Sequence, residues 1–160
     1  MANTTTKLGN IAFAGVIVLV ALYVLNSFFV TPAPIPGMFS EGLTLEQAVD
    51  RSAEKDGVVL AVVTADWCGP CQKYKKNGLA DERVAQWITE HGSAAYINYD
   101  LNKDLAGELG ARSFPTTFFI HEGETLGAVG GAMSGDTLLR FLEKGLEAAN
   151  AGPSIVDKTG

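Results

Sequence analysis

An apolar stretch, Val58-Val59-Leu60-Ala61-Val62-Val63, gives way to Trp67-Cys68-Gly69-Pro70-Cys71 and then to a polar, Lys-rich stretch. These are the only two cysteines in 160 residues, and they stand two residues apart. A buried strand that ends in C-x-x-C and opens a helix is the layout of a dithiol redox site. The first amides of a helix have no intrahelical partner, and the macrodipole is positive there. Both favour thiolate over thiol at Cys68, which makes Cys68 the expected nucleophile. Cys71 lies three residues on, on the same helix face and within bridging distance. It is the expected resolving thiol, and Cys68–Cys71 the expected redox disulfide.

Three other readings of the motif have less to support them. A zinc half-site needs two further ligands, and His91 and His121 are the only histidines. Haem attachment needs a histidine directly after the second cysteine, where this chain has Gln72. Two buried structural cysteines leave the Gly-Pro between them and the Trp before them unexplained. No metal and no cofactor are expected.

The pentapeptide Trp67–Cys71 resembles the thioredoxin family residue for residue. Ser113-Phe114-Pro115-Thr116-Thr117-Phe118-Phe119-Ile120, followed by Glu122-Gly123-Glu124, is similar to the family's cis-proline loop, strand and tight turn. Val129-Gly130-Gly131-Ala132-Met133-Ser134 resembles its glycine loop and the start of its last helix. The resemblance runs from about residue 43 to 148, with Cys71 and Pro115 44 residues apart. It implies an α/β thioredoxin fold, a central mixed sheet flanked by helices. It also implies a cis bond before Pro115, as X-Pro is the bond where cis costs little. Trp67, Gly69 and Pro70 then support the dithiol, Trp67 as a lip over it. The main chain at Phe114, with Thr116, Gly130 and Gly131, is implied to receive a substrate peptide like an added strand.

Departures from the family pattern fall around the resolving thiol. The family's buried Asp, six residues before the first cysteine, is replaced by Val62. Its companion lysine is replaced by Tyr96, if Asn98 and Asp100 align with the family's Asn and Asp. Lys76 replaces the kinking proline. Asp66 is the candidate substitute base, against the plainer reading of an exposed loop carboxylate. The runs Ala65–Cys68 and Leu79–Val84 look more like the thioredoxin-like domains of bacterial membrane thiol:disulfide interchange proteins.

Charge and hydropathy divide the chain. All 18 acidic residues and 11 of the 12 basic ones follow Ser40, a net charge of −7 for that part. This argues against nucleic acid or anionic lipid as a partner. Lys73, Lys75 and Lys76 form the one basic cluster, expected as a solvated helix face, with the alternative that it also biases Cys68 toward thiolate or steers acidic partners. Ile11–Val30 is 20 residues without a charge, enough as a helix to span about 30 Å of hydrocarbon. A cleaved signal peptide is the rival, with a shorter apolar core and a small-residue cleavage site; Thr31-Pro32-Ala33 fits such a site poorly. Lys7 precedes the segment and the next basic residue is Arg51. The positive-inside bias then leaves the N-terminus in the cytoplasm and the rest outside.

The expected partition is a cytoplasmic tail over 1–10, an anchor over 11–30, a Pro-rich linker over 31–40, the thioredoxin-like domain over 41–150 and a tail over 151–160. Pro32, Pro34 and Pro36 predict a polyproline spacer of ~20 Å, at about 3.1 Å per residue. Within the domain, Thr44 and Gln47 predict a capping box and a helix over 44–56. Strands are expected at 58–64, 94–99, 116–121 and 125–130, the last two as a hairpin around Glu122-Gly123. Helices are expected at 68–77, 82–91 capped by Asp81, 102–109, and 135–149 capped by Ser134.

These readings predict a single-pass protein of a bacterial inner membrane, with its domain on the periplasmic side. It reduces or relays electrons to protein disulfides and draws electrons from a membrane donor. A disulfide oxidase or isomerase is the enzyme rival. A peptide-holding module built on Phe114-Pro115 is the non-enzyme rival, which intact Cys68 and Cys71 argue against.

Overall fold

The computed structural model describes residues 13–23 and 32–151. The chain divides into two compact units, Met1–Thr31 and Pro32–Gly160. In the first, residues 13–23 form a helix, α1, exposed along its length. The expected span over 11–30 runs past the described residues at both ends. Among the described residues no helix is long and apolar enough to cross a membrane. The tails over 1–10 and 152–160 also lie outside the described residues.

The second unit runs α2 (Leu45–Ala53), β1 (Val58–Thr64), α3 (Gly69–Lys76), a 3-10 turn (Gly78–Ala80), α4 (Glu82–His91), β2 (Gly92–Asn98), α5 (Lys103–Glu108), β3 (Thr116–His121), β4 (Glu124–Gly130) and α6 (Gly135–Asn150). The sheet order is β2-β1-β3-β4. β1 pairs parallel to β2 and antiparallel to β3, and β3 pairs antiparallel to β4. This is the expected mixed sheet with helices on both faces.

β1 is buried at every position, which is why its sequence is a continuous apolar run rather than an alternating one. Its side chains still alternate between faces. Val58, Leu60 and Val62 pack with Tyr74, Val84, Ile88, Leu138 and Leu142, from α3, α4 and α6. Val59, Ala61 and Val63 pack with Ala48, Ala106 and Phe118, on the side of α2 and α5. β1 thus delivers its C-terminal end, and the dithiol after it, from the most constrained position in the sheet.

Local chemistry sets the element ends. Thr44 accepts the Gln47 amide and Gln47 returns a bond to the Thr44 amide, a complete capping box. Asp81 caps α4 and Ser134 caps α6. Glu122 and Gly123 both take positive φ, 50° and 78°, the turn that suits a two-residue hairpin loop. His121 pairs with Glu124, so β4 begins one residue earlier than expected. β2 begins two residues early, at Gly92, which is level with Val58. A Cβ at Gly92 would press on the Val58 backbone, so only glycine lets β1 approach there.

The linker differs from the expected spacer. From Ala33 onward it lies on the domain. Ala33 and Phe39 are buried. The Ala33 amide donates to Gln72 Oε1 at 2.6 Å. After a short 3-10 turn, Gly37–Phe39, the Phe39 ring joins the main core edge-on to Tyr96, with centroids 5.7 Å apart. The reason is local: an apolar Met38-Phe39 pair directly follows the prolines and has a core to enter.

Candidate active site

β1 ends where the Thr64 carbonyl accepts the Tyr99 amide at 2.8 Å. The chain then turns through Ala65-Asp66-Trp67, and the Cys68 amide donates back to the Ala65 carbonyl. Cys68 is the N-cap of α3, with extended backbone. Its Sγ accepts the Cys71 amide at 3.2 Å, so sulfur fills the place that a Ser or Asp oxygen takes in an ordinary cap. Pro70 sits in the first turn, where a missing N–H costs nothing. Cys68 and Cys71 form a disulfide, with Cα atoms 5.2 Å apart. Cys68 is the more open of the two, 6% exposed against 1%.

The loop before β3 closes one side of the dithiol. The Phe114–Pro115 bond is cis, and the Phe114 carbonyl oxygen lies 3.5 Å from Cys68 Sγ. Thr116 is buried, and its hydroxyl donates to the Ser113 carbonyl at 2.6 Å. The Gly131 amide donates to the Pro115 carbonyl at 2.7 Å, at a φ of 98° that favours glycine. At Gly130 a Cβ would come within 2.8 Å of Ser113 Oγ. The predicted residues of this loop are thus brought together around Pro115, with Phe114 against the Cys68 sulfur.

Trp67 is 58% exposed. Its Nε1 donates to the Asp100 carboxylate at 3.0 and 3.2 Å, and its ring stands edge-on to Phe114 at 6.0 Å. Tyr99 lies on the other side of Phe114, with centroids 4.5 Å apart. Sequence reasoning named Asp100 only as an alignment point for the family pattern and did not single out Tyr99. Their signal was position, since they directly follow the strand that flanks β1.

Behind the dithiol the basic cluster splits. Lys73 and Lys76 are exposed, as expected, but Lys75 is 3% exposed. Its Nζ lies 3.1 Å from Asp66 Oδ1 and 5.2 Å from the centre of the Tyr96 ring. Asn98 Nδ2 donates to the other Asp66 oxygen at 3.1 Å. Burial alone would lower the Lys75 ammonium, but the Tyr96 side chain and the Asp66 carboxylate together outweigh it and hold Lys75 above the ordinary lysine value. Asp66 is therefore a half-exposed carboxylate tied to two partners, not a free loop acid. Val62 is fully buried and stands level with Tyr96. Gln72 is also buried; besides holding Ala33 it donates to the Asp66 and Ala65 carbonyls at 2.9 and 3.3 Å.

Neither histidine joins the cysteines. His91 ends α4, stacked on Trp87. His121 pairs with Val58, at the end of β1 away from the dithiol. There, atoms of His121, Asp56 and Glu122 lie within 4.8 Å of one another.

A disulfide at the start of a helix, faced by a cis-proline loop and carried on the central strand of a mixed sheet, defines a dithiol–disulfide oxidoreductase of the thioredoxin fold. A model of the thioredoxin-like domain matches residues 45–146. The chain is 31% identical over 111 residues to the thioredoxin of Griffithsia pacifica, covering 66% of this chain and 99% of that protein. It is 34% identical over 88 residues to thioredoxin 1 of Synechococcus elongatus, covering 55% and 79%. Among solved structures, a thioredoxin from Thermus thermophilus superposes with a TM-score of 0.63 at 18% identity, over 73% of this chain and 95% of the other. The thioredoxin of Fasciola hepatica superposes at 0.53 with 25% identity, over 62% and 89%. The chain belongs to the thioredoxin-like domain family, and it is a protein-disulfide oxidoreductase working through Cys68 and Cys71.

Proposed function

We propose that this protein is a membrane-anchored reductase, or electron relay, for protein disulfides outside the cytoplasm. The observation that carries the catalytic half is the Cys71 amide on Cys68 Sγ, together with the Phe114–Pro115 loop against the same sulfur. In the reduced protein that amide and the helix start favour the Cys68 thiolate. Cys68 attacks a substrate disulfide, forming a mixed disulfide and releasing one substrate thiol. Cys71 loses its proton, attacks Cys68 Sγ and releases the second thiol. Enzyme dithiol and substrate disulfide thus become enzyme disulfide and two substrate thiols. The Phe114 carbonyl, Thr116, Gly130 and Gly131 hold the substrate backbone, and Trp67 lies along it.

The direction rests on Gly69-Pro70, the dipeptide of reductants. Thioredoxin and a strong bacterial oxidant differ by ~150 mV, or ~7 kcal/mol, for this two-electron couple. Anchoring rests on the charge-free run Ile11–Val30 and on Lys7 before it. In this reading residues 1–10 are cytoplasmic, 11–30 span an inner membrane, and the domain works in the periplasm, supplied by a membrane dithiol donor.

The test is twofold. The dithiol form should reduce insulin, with a potential nearer ~−270 mV than ~−120 mV; an oxidising value, with disulfide transfer to reduced substrates, overturns the reductase. An alkaline phosphatase fused after Gly160 should be active. An inactive phosphatase beside an active cytoplasmic reporter at the same junction overturns the topology.

A further inference from the structure

Val62 leaves the resolving thiol without an acid on the strand beneath it, yet the layer between α3 and the sheet is not apolar. Cys71 and Lys75 are both buried and stand one helical turn apart, where side chains share a face at ~5–6 Å between Cβ atoms. Helical side chains lean toward the N-terminus. Lys75 therefore leans back along α3 toward Cys71, and its Nζ meets Asp66, two residues before Cys68.

We infer that Lys75 is a positioning residue for the resolving step: its buried ammonium, held by Asp66 and Tyr96, stabilises the Cys71 thiolate that attacks the mixed disulfide. The inference rests on the reading that Cys68 attacks and Cys71 resolves.

The charged and titratable groups facing this layer are few. α3 supplies Lys75, the loop after β1 supplies Asp66, and β2 supplies Tyr96. The remaining neighbours are neutral. Val62 and Thr64 come from β1 on the face that alternation assigns to α3, and Asn98 comes from β2. Thr64 Oγ1 is buried without a hydrogen-bond partner among the described residues. Tyr74 of α3 is taken up by Thr117 of β3 at 3.1 Å. Lys75 is thus the one buried cation in this layer among the described residues. Asp66, half-exposed, screens it only in part and keeps the ammonium from facing apolar surroundings unpaired.

The step balances. Cys71–SH gives its proton to water or to the Asp66 carboxylate, and its thiolate displaces the substrate sulfur from Cys68. The departing substrate thiolate takes up a proton. A cation beside Cys71 lowers the cost of the first event without entering the bonds that form and break.

The two charges act on Cys71 with opposite signs, which separates electrostatics from loss of structure. The test uses the Cys68→Ser protein, so that Cys71 is the only thiol, and follows thiolate absorbance and iodoacetamide alkylation from about pH 6 to about pH 10. Lys75→Met should raise the Cys71 titration midpoint by about one pH unit. Lys75→Arg should restore it, and Asp66→Asn should lower it. With both cysteines present, the pH–rate profile of mixed-disulfide resolution should move with the midpoint. If Lys75→Met fails to fold, Lys75→Gln decides: a raised midpoint supports the inference and an unmoved one overturns it. Unmoved midpoints in all the variants also overturn it. The titration needs no substrate and no direction of exchange. A protein that fails to reduce insulin yet shows these shifts would sink the reductase reading and leave Lys75 in its role.

Discussion

The backbone amide of Cys71 points at Cys68 Sγ from 3.2 Å, so the second cysteine of the motif caps the first with its own main chain. Among the described residues Cys71 Sγ has no such donor, and Cys71 is the less exposed of the two. In the reduced protein Cys68 should therefore be the thiol of lower pKa and greater access. Limited iodoacetamide at about pH 6.5, followed by peptide mapping, should modify Cys68 first. Equal modification of both would show that the cap does not set their order.

Gln72 links the segment before the domain to the loop before the dithiol, through Ala33 on one side and Ala65 and Asp66 on the other. Gln72→Ala should cost about 1–3 kcal/mol, the usual effect of leaving buried polar groups unpaired. The loss should be local as well, with the Ala33 amide exchanging much faster in deuterium exchange. Unchanged stability together with an unchanged Ala33 amide would mean that the apolar contacts of Phe39 alone hold the segment.

Val62→Asp puts a carboxyl into a site with no exposure, level with Tyr96. It should destabilise the fold by about 1–3 kcal/mol and speed mixed-disulfide resolution near neutral pH by offering Cys71 an internal acceptor. Urea denaturation and stopped-flow reduction of a model disulfide check the two effects. If neither moves, position 62 is not beneath the resolving thiol.

Tyr74 and Lys75 both hold their protons more tightly in the folded protein than the ordinary values of 10.0 and 10.5. Burial is the main cause at Tyr74; at Lys75 it is opposed and exceeded by Tyr96 and Asp66. Their contribution to stability is complete below those unfolded values and is lost as pH rises above them. The oxidised protein, whose cysteines do not titrate, should lose urea resistance steadily above about pH 10. Tyr74→Phe should make that decline shallower, and an equal slope in the variant would contradict the assignment.

Much of this was legible because local chemistry and tertiary structure agree. The continuous apolar run at Val58–Val63 is short, rich in β-branched residues and preceded by Gly57, which reads as a central strand, and Thr44 with Gln47, Asp81 and Ser134 marked helix starts that packing left in place. The cis bond before Pro115 and its place beside the cysteines came from resemblance alone, since no local rule brings residues 44 positions apart together. Lys75 was misread because three lysines in four residues look like a solvated face. The helical spacing from Cys71 to Lys75 held the contrary signal, as a residue one turn from a buried cysteine shares its face. The segment at Ala33–Phe39 was misread because alternate prolines suggest a free spacer. What docks it is Phe39 entering the core and a hydrogen bond from Ala33 to Gln72, 39 residues away; the apolar pair was visible in the sequence, but the distant polar partner was not.

The central claim is that Cys68 attacks and Cys71 resolves. Trapping tests it most directly: Cys71→Ser and Cys68→Ser proteins are each incubated with insulin as the disulfide substrate, quenched in acid, alkylated, and resolved without reductant. Cys71→Ser should accumulate a mixed disulfide, mapped to Cys68, while Cys68→Ser accumulates little or none. The reverse pattern, a stable adduct on Cys71 and none on Cys68, would contradict the account.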